Sequence, residues 1–282
     1  MKRIVQIFDA QHFTPEALAF SADIVRHTGA TLIGLFVQDT SFKNDPGMNI
    51  IAGQFYVEEI VLTAEEKQKI QDATDASVAA FMQGCAQHNI NGNAIVKQGI
   101  PAEILKAESR YCDMMIVSPL LCFDGEQAVP TVFIYNLLAA AECPVLLSPE
   151  QFQRIDEVIF AFDGSKSASF AIRQFAYMLP SFCAAKVIVI NISEEGGKDT
   201  SIAAHHPSFT QWMELHCPNY RQITLVGNAR DVLFNYFMEN DNNNKLLVAG
   251  SFGRSAVSRF FKPGTTELVL KTADVPVFIV HN

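Results

Sequence analysis

No stretch of this sequence reaches the ~18 uninterrupted apolar residues that a membrane-spanning helix needs. The best candidate, Val132 to Cys143, is short and holds Asn136 and Glu142. The opening Met1-Lys2-Arg3-Ile4-Val5-Gln6-Ile7-Phe8-Asp9 meets a charge too soon for a secretory signal. Together these absences lead us to expect a soluble, cytoplasmic protein. Cysteine is scarce: six in 282 residues, with no CxxC pair, exclude a disulfide scaffold and read as buried free thiols. Glycine (15) and proline (12) are too few for a collagen-like or linker-rich chain, and 49% hydrophobic against 18% charged residues excludes disorder. Positive charge is also short, since a net charge of -9 leaves no basic footprint for nucleic acid.

The usual signatures of catalysis are missing as well. There is no GxxxxGK[ST] phosphate loop, no GxSxG elbow, no HExxH helix and no HxGH element. No nucleophile is visibly paired with a base. His205, His206 and His216 with Cys217 read as exposed or locally bonded histidines rather than a metal site. Glu58-Glu59 and Glu65-Glu66 read as a solvated helix entrance.

What is present is a plan written twice. Length over ~150 suggests about two domains. The first runs Ile4–Phe8 as a strand, a helix from Pro15 to His27 behind Thr14, a strand at Thr31–Val37, a long helix over 63–88, a strand at Ala94–Lys97, a short helix from Pro101, a strand at Met114–Val117, a helical segment near 130–141 and a strand at Val145–Leu147. Residues 38–62 lack clear periodicity. The second repeats the order: strand Val158–Phe162, a helix from about Ser167 to Pro180, strand Lys186–Ile192, helix 207–216, strand Gln222–Val226, helix 229–239, strand Lys245–Ala249, helix 265–272 and strand Val277–Val280. Strands alternating with helices imply parallel pairing with helices on both faces. Phe8-Asp9 matches Phe162-Asp163, Gly99 matches Gly227, Ser118 matches Gly250 and Pro144 matches Pro276, the last two pairs at one offset of 132. A shared offset means no net insertion between those landmarks, so we read a tandem duplication with domains over 1–150 and 151–282. The excess negative charge lies wholly in residues 1–150, with 9 basic and 18 acidic residues; residues 151–282 hold 12 of each. An anionic ligand would avoid the first domain and tolerate the second.

The halves differ where ligands bind. After Ala249 the second half runs into Gly250-Ser251-Phe252-Gly253, and ten residues later come Gly264-Thr265-Thr266 and the expected helix. Glycines allow close backbone approach, and a Gly-Thr step opening a helix offers free N–H groups and a hydroxyl at the positive end of its dipole. Arg254, Arg259 and Lys262 supply counter-charge. Ordinary turn and cap chemistry would also produce these glycines. Asp163-Gly164-Ser165 follows the first strand, where a carboxylate faces the same crevice as Gly250 in an open parallel sheet, though a turn with a helix cap explains it equally. In the first half Ser118, Leu121 and Val132 replace Gly250, Gly253 and Gly264, so the fold recurs without the site.

Asp163-Gly164-Ser165, the GSFG turn, Gly264-Thr265-Thr266 and a closing Pro-Val-x-x-Val strand resemble the universal stress protein family, as does the Gly99-x-Pro101 turn of the first half. The resemblance covers the chain as a tandem pair, specific in the second half and degenerate in the first. It implies α/β architecture: two adenine-nucleotide-hydrolase-like domains, each a five-stranded parallel sheet with helices on both faces, joined through their last strands. It further implies a stress-response regulator binding ATP or another adenine nucleotide, with or without Mg, in the second domain only. By that resemblance Asp163 would match the first-strand aspartate, its carboxylate near a ribose hydroxyl or the adenine edge, Ile192 would give adenine a backbone contact, and Ala249 would lie beside the ribose. Gly250 and Gly253 would approach ribose and phosphates, Gly264 and Thr265 would bind phosphate oxygens, and Arg254 and Thr266 would complete the candidate site. The family's G-x2-G-x9-G-[ST] spacing is one residue shorter than the interval here, and Pro263 precedes the glycine. That departure favours the alternative, a protein-interaction module of the same fold that binds no nucleotide. A slow ATPase is an outsider, because nothing supplies a water-positioning base. Expected partners are an adenine nucleotide and an unidentified protein, with neither nucleic acid nor membrane. Pairing of the last strands within one chain makes a pseudo-dimer and leaves a homodimer open.

Overall fold

The computed structural model describes residues 1–40, 47–51, 54–58, 62–123, 130–193, 206–239, 244–250 and 274–280. The first half contains β1 (Arg3–Asp9), α1 (Pro15–Thr28), β2 (Thr31–Asp39), β3 (Gly47–Ile51), β4 (Gln54–Glu58), α2 (Ala64–Gln87), β5 (Gly92–Gly99), α3 (Pro101–Ser109), β6 (Met114–Val117), α4 (Val132–Ala140) and β7 (Val145–Leu147). The second contains β8 (Glu157–Ala161), α5 (Lys166–Met178), α6 (Pro180–Cys183), β9 (Lys186–Ser193), α7 (Pro207–His216), β10 (Tyr220–Val226), α8 (Ala229–Glu239), β11 (Lys245–Gly250) and β12 (Val277–Val280).

Local chemistry sets the helix ends. Pro15 opens α1, whose orphan N–H groups cost nothing to a residue that lacks one, and Gly29 closes it at φ +63° with its N–H on the Val25 carbonyl. Thr14 occupies the cap position of α1 but its side chain makes no cap hydrogen bond. Thr63 and Glu66 form a reciprocal capping box on α2, and the Ser165 hydroxyl accepts from the Ala168 N–H to cap α5. Gly99 and Gly227 end the matched strands β5 and β10 at φ +151° and +137°, a region that a side chain would strain.

Ten strands form one sheet in the order β10-β9-β8-β11-β12-β7-β6-β1-β2-β5. Within each half every pairing is parallel, and the halves meet where β12 runs antiparallel to β7, Ile279 opposite Val145. Counted outward from that seam, both halves place their strands in the order fifth, fourth, first, second, third. The register supports the sequence landmarks. Gln6 pairs with Ile116 and Phe160 with Val248, which brings Ser118 beside Phe8 and Gly250 beside Phe162. The Met115 and Leu247 amides donate to the Pro144 and Pro276 carbonyls respectively.

Alternation along the buried strands sends side chains to two cores. One, containing Val158, Phe160 and Phe162, lies under α1, α2, α5, α6 and α7. The other, containing Ile159, Ala161, Ile192 and Ala249, lies under α3, α4 and α8. Two elements depart from the sequence expectation. The stretch 38–62 holds an antiparallel hairpin, β3 with β4, outside the main sheet. Strand β5 is longer than Ala94–Lys97 because it is an edge strand, whose outward positions take polar residues such as Asn93. The helix expected over 265–272 lies outside the described residues. Of the six thiols, Cys112 and Cys122 are partly exposed rather than buried, and the Cys112 and Cys143 sulfurs lie 3.4 Å apart.

Candidate functional site

Parallel strands expose their carboxyl ends along one edge, so the residues just past β8, β9 and β11 share a crevice. Ala249, Ala161 and Ile190 stand level across these strands, which carries Asp163 and Ile192 to adjacent positions one step further out. Asp163, Ile192, Ala249 and Gly250 are thus brought together at that edge. Gly253, Arg254, Gly264, Thr265 and Thr266 lie outside the described residues.

Asp163 is partly buried, and its Oδ1 accepts the Ser165 N–H at 2.9 Å, closing a turn that aims the chain into α5. Its Oδ2 makes no hydrogen bond among the described residues. The Ser165 hydroxyl takes the Ala168 N–H and lies 3.1 Å from the Ser167 hydroxyl, so the first turn of α5 is capped from within. Gly250 serves this helix directly. A Cβ built there would meet the Ser167 carbonyl carbon at 2.5 Å and the Ala168 nitrogen at 2.6 Å. The close approach of the α5 backbone is by itself reason enough for a glycine at this position, whatever ligand the Gly250 backbone also meets.

The matching edge of the first half is built from other chemistry. Both Asp9 oxygens are engaged, Oδ1 by the Gln11 N–H at 3.0 Å and Oδ2 by His12 Nδ1 at 2.8 Å. Ser118 accepts from Leu120 and Leu121 through its hydroxyl and carbonyl oxygens. Thr131, fully buried, caps α4, donates its hydroxyl proton to the Leu121 carbonyl at 2.7 Å and its N–H to the Pro119 carbonyl at 3.1 Å. The helix start that corresponds to Gly264-Thr265 is therefore pinned by its own loop. A cavity of about 240 Å³ remains between Asp9, His12, Ser118 and Leu121.

Sequence reasoning missed a larger cavity, about 340 Å³, on the opposite face of the second half between α5 and α7. Phe209 and Trp212, which line it, carried no motif; their only signal was two aromatics on one face of a short helix. Among the described residues no three His, Cys, Asp or Glu side chains cluster as metal ligands, and His216 stacks on Trp212 with ring centroids 4.3 Å apart. No helix among the described residues is long and apolar enough to cross a membrane.

Comparison with known proteins agrees with this architecture. Residues 154–281 match the model of the universal stress protein family. A universal stress protein of Synechocystis sp. is 28% identical over 134 residues, which are 48% of this chain and 45% of that protein, so the match spans about half of that relative's length. The crystal structure of a universal stress protein from Archaeoglobus fulgidus superposes with a TM-score of 0.71 at 14% identity, covering 99% of this chain and 98% of that one. A universal stress protein family protein from Arabidopsis thaliana, solved with AMP bound, aligns with 51% of this chain and 89% of its own at 16% identity and a TM-score of 0.33.

Proposed function

The second half of the chain belongs to the universal stress protein family, and from that premise we propose that residues 151–282 bind one adenine nucleotide at the crevice past β8 and β11, as the sensing site of a stress-response regulator. Residues 1–150 are then a tandem copy of the fold that binds none. The observation that carries this reading is the contrast between two matched aspartates: among the described residues Asp163 keeps one carboxylate oxygen without a hydrogen bond at the crevice, whereas Asp9 spends both on Gln11 and His12. A free carboxylate oxygen is the acceptor that a ribose hydroxyl needs. In this reading Asp163 holds the ribose, Ile192 and Ala249 wall the base and sugar, and Gly253, Arg254, Gly264, Thr265 and Thr266 receive the phosphates, with ATP and Mg as the fullest ligand. Gly250 contributes twice in this reading, by letting α5 approach and by bringing its backbone to the ribose and phosphates. Ligand binding produces a response only by favouring one of two states, which a partner protein would read.

The test is calorimetric titration of the full chain with AMP and with MgATP, beside Asp163→Ala and Gly264→Val variants checked for folding by circular dichroism. Saturable binding at one site per chain, weakened by Asp163→Ala and lost in Gly264→Val, is expected. No heat at millimolar nucleotide would sink the proposal. The reading then left is the protein-interaction module, which the longer interval between Gly253 and Gly264 favours.

A further inference from the structure

The cavity between α5 and α7 is on the opposite face of the sheet from Ile192 and Ala249, and it is walled by Phe162, Ile172, Phe209 and Trp212. Phe162 and Phe209 lie parallel, with centroids 4.2 Å apart and planes within 6°. At its rim stands Arg173, an exposed guanidinium with no ion-pair or hydrogen-bond partner among the described residues.

The first half shows how this fold fills the same space when nothing needs to enter. Phe8, the match of Phe162, is enclosed by Phe13, Phe36 and Phe81 at centroid distances of 5.3, 5.1 and 5.9 Å. Phe81 reaches in from α2 because Gly34 has no side chain; a Cβ there would sit 2.8 Å from its ring. In the register of the second half Val189 replaces Gly34 and Asn191 replaces Phe36, so the aromatic filling is gone. Helix α7 brings Phe209 and Trp212 to the walls instead of the centre. An opening of ~300 Å³ is at the small end of ligand sites, enough for one ring and a short chain.

We propose that this cavity is a second binding site, selective for small aromatic carboxylates. An aryl ring stacks among Phe162, Phe209 and Trp212 in the offset or edge geometry that aromatic quadrupoles favour. The carboxylate reaches the Arg173 fork, whose planar donors match it two-to-two. A nucleotide does not suit the site, because among the described lining residues Arg173 is the one permanent cation to face the several charges of its phosphates. A purely apolar ligand would leave the guanidinium unused.

Trp212 is the chain's only tryptophan, so its emission reports on this cavity without labelling. The experiment titrates the full chain with 3-phenylpropionate and, separately, with neutral 3-phenylpropanol, in wild type and Arg173→Gln, with and without excess AMP. A saturable change with the acid is expected, with the alcohol weaker by about tenfold, the scale of one charge-assisted hydrogen-bonded pair. Arg173→Gln should lose that preference while binding the alcohol as before, and Arg173→Lys should recover part of it. AMP should not compete. No saturable change, equal affinity for acid and alcohol, or displacement by AMP would each overturn the proposal. Because the readout is independent of nucleotide binding, it fails or succeeds separately from the proposed function.

Discussion

Phe8 and Phe162 stand at the same place in two halves with one strand order, yet Phe8 is enclosed by three phenylalanines beside a cavity of about 240 Å³, and Phe162 borders the larger opening of about 340 Å³ between α5 and α7. Asp9 and Asp163 follow them, one with both oxygens bonded and the other with one to spare. On the α2 side of the first half three rings fill the space beside Phe8, and in the second half the matched space between α5 and α7 is open. Packing density in a protein interior is normally close to that of organic crystals, so an unfilled place in one of two matched cores is informative.

The largest effect should come from emptying the filled core. Phe81 is fully buried and touches three other rings, so Phe81→Ala should cost about 3–5 kcal/mol in urea unfolding followed by circular dichroism. Trp212→Ala, at the wall of an existing opening, should cost less than about 2 kcal/mol. Equal losses would break the comparison, because Trp212 would then be core rather than lining.

The strand edges give the next largest difference. Gly250→Val pushes a side chain into the α5 backbone, which cannot rotate away, and should destabilise by about 3 kcal/mol. Ser118→Ala at the matched position removes one hydroxyl that accepts the Leu120 N–H and should cost about 1 kcal/mol. If Gly250→Val left stability intact, the close approach of α5 would be refuted and Gly250 would be free to serve a ligand.

These two cases also mark what the sequence could reveal. The sequence of strands and helices, the matched landmarks and the α7 and α8 boundaries were legible because apolar runs, prolines and glycines act locally, whereas the spatial order of the strands was not. Gly250 was legible as a close approach but not as an approach to what, since Ser167 lies far from it in sequence and meets it only once α5 packs on β11. The candidate site was half legible. Asp163 could be named from the motif, and the change from His12 to Lys166 three residues on is visible in the sequence, but which carboxylate oxygens are bonded depends on side-chain geometry. The cavity was invisible because it arises from Val189 and Asn191 failing to supply an aromatic, and a missing contact leaves no motif. The β3–β4 hairpin escaped because five-residue strands show too little alternation to register.

Helix caps provide a smaller test. Thr131→Ala removes a cap, a buried hydroxyl and its bond to Leu121, and should cost about 2 kcal/mol. Ser165→Ala, at a partly buried cap, should cost about 1 kcal/mol. Double substitution should be additive, since the two caps are in separate halves. Strong coupling by chemical denaturation would show that the seam between β7 and β12 transmits strain.

The smallest effects separate the halves by pH. Partial burial would raise the Glu108 carboxyl, but hydrogen bonds from Lys97 Nζ at 2.6 Å and Arg3 at 2.9 Å outweigh it and hold the group below its ordinary value. A depressed folded pKa gives stability that is present above the unfolded value and lost as pH falls through the folded one. Tyr236 lies in the other half. Burial, then the charge and hydrogen bond of Glu157, push it up to about 12. A raised folded pKa gives stability that is complete below the ordinary value of 10 and disappears as pH climbs from there towards 12. Urea midpoints measured across both ranges should therefore fall with acid in wild type and less in Glu108→Gln, and fall with alkali in wild type and less in Tyr236→Phe. Each difference should be about 1 kcal/mol after discounting for solvent screening at these partly buried groups. Acid should loosen the filled half and alkali the open one. An acid limb unchanged in Glu108→Gln, or an alkaline limb unchanged in Tyr236→Phe, would show that the group concerned does not set the pH dependence of its half.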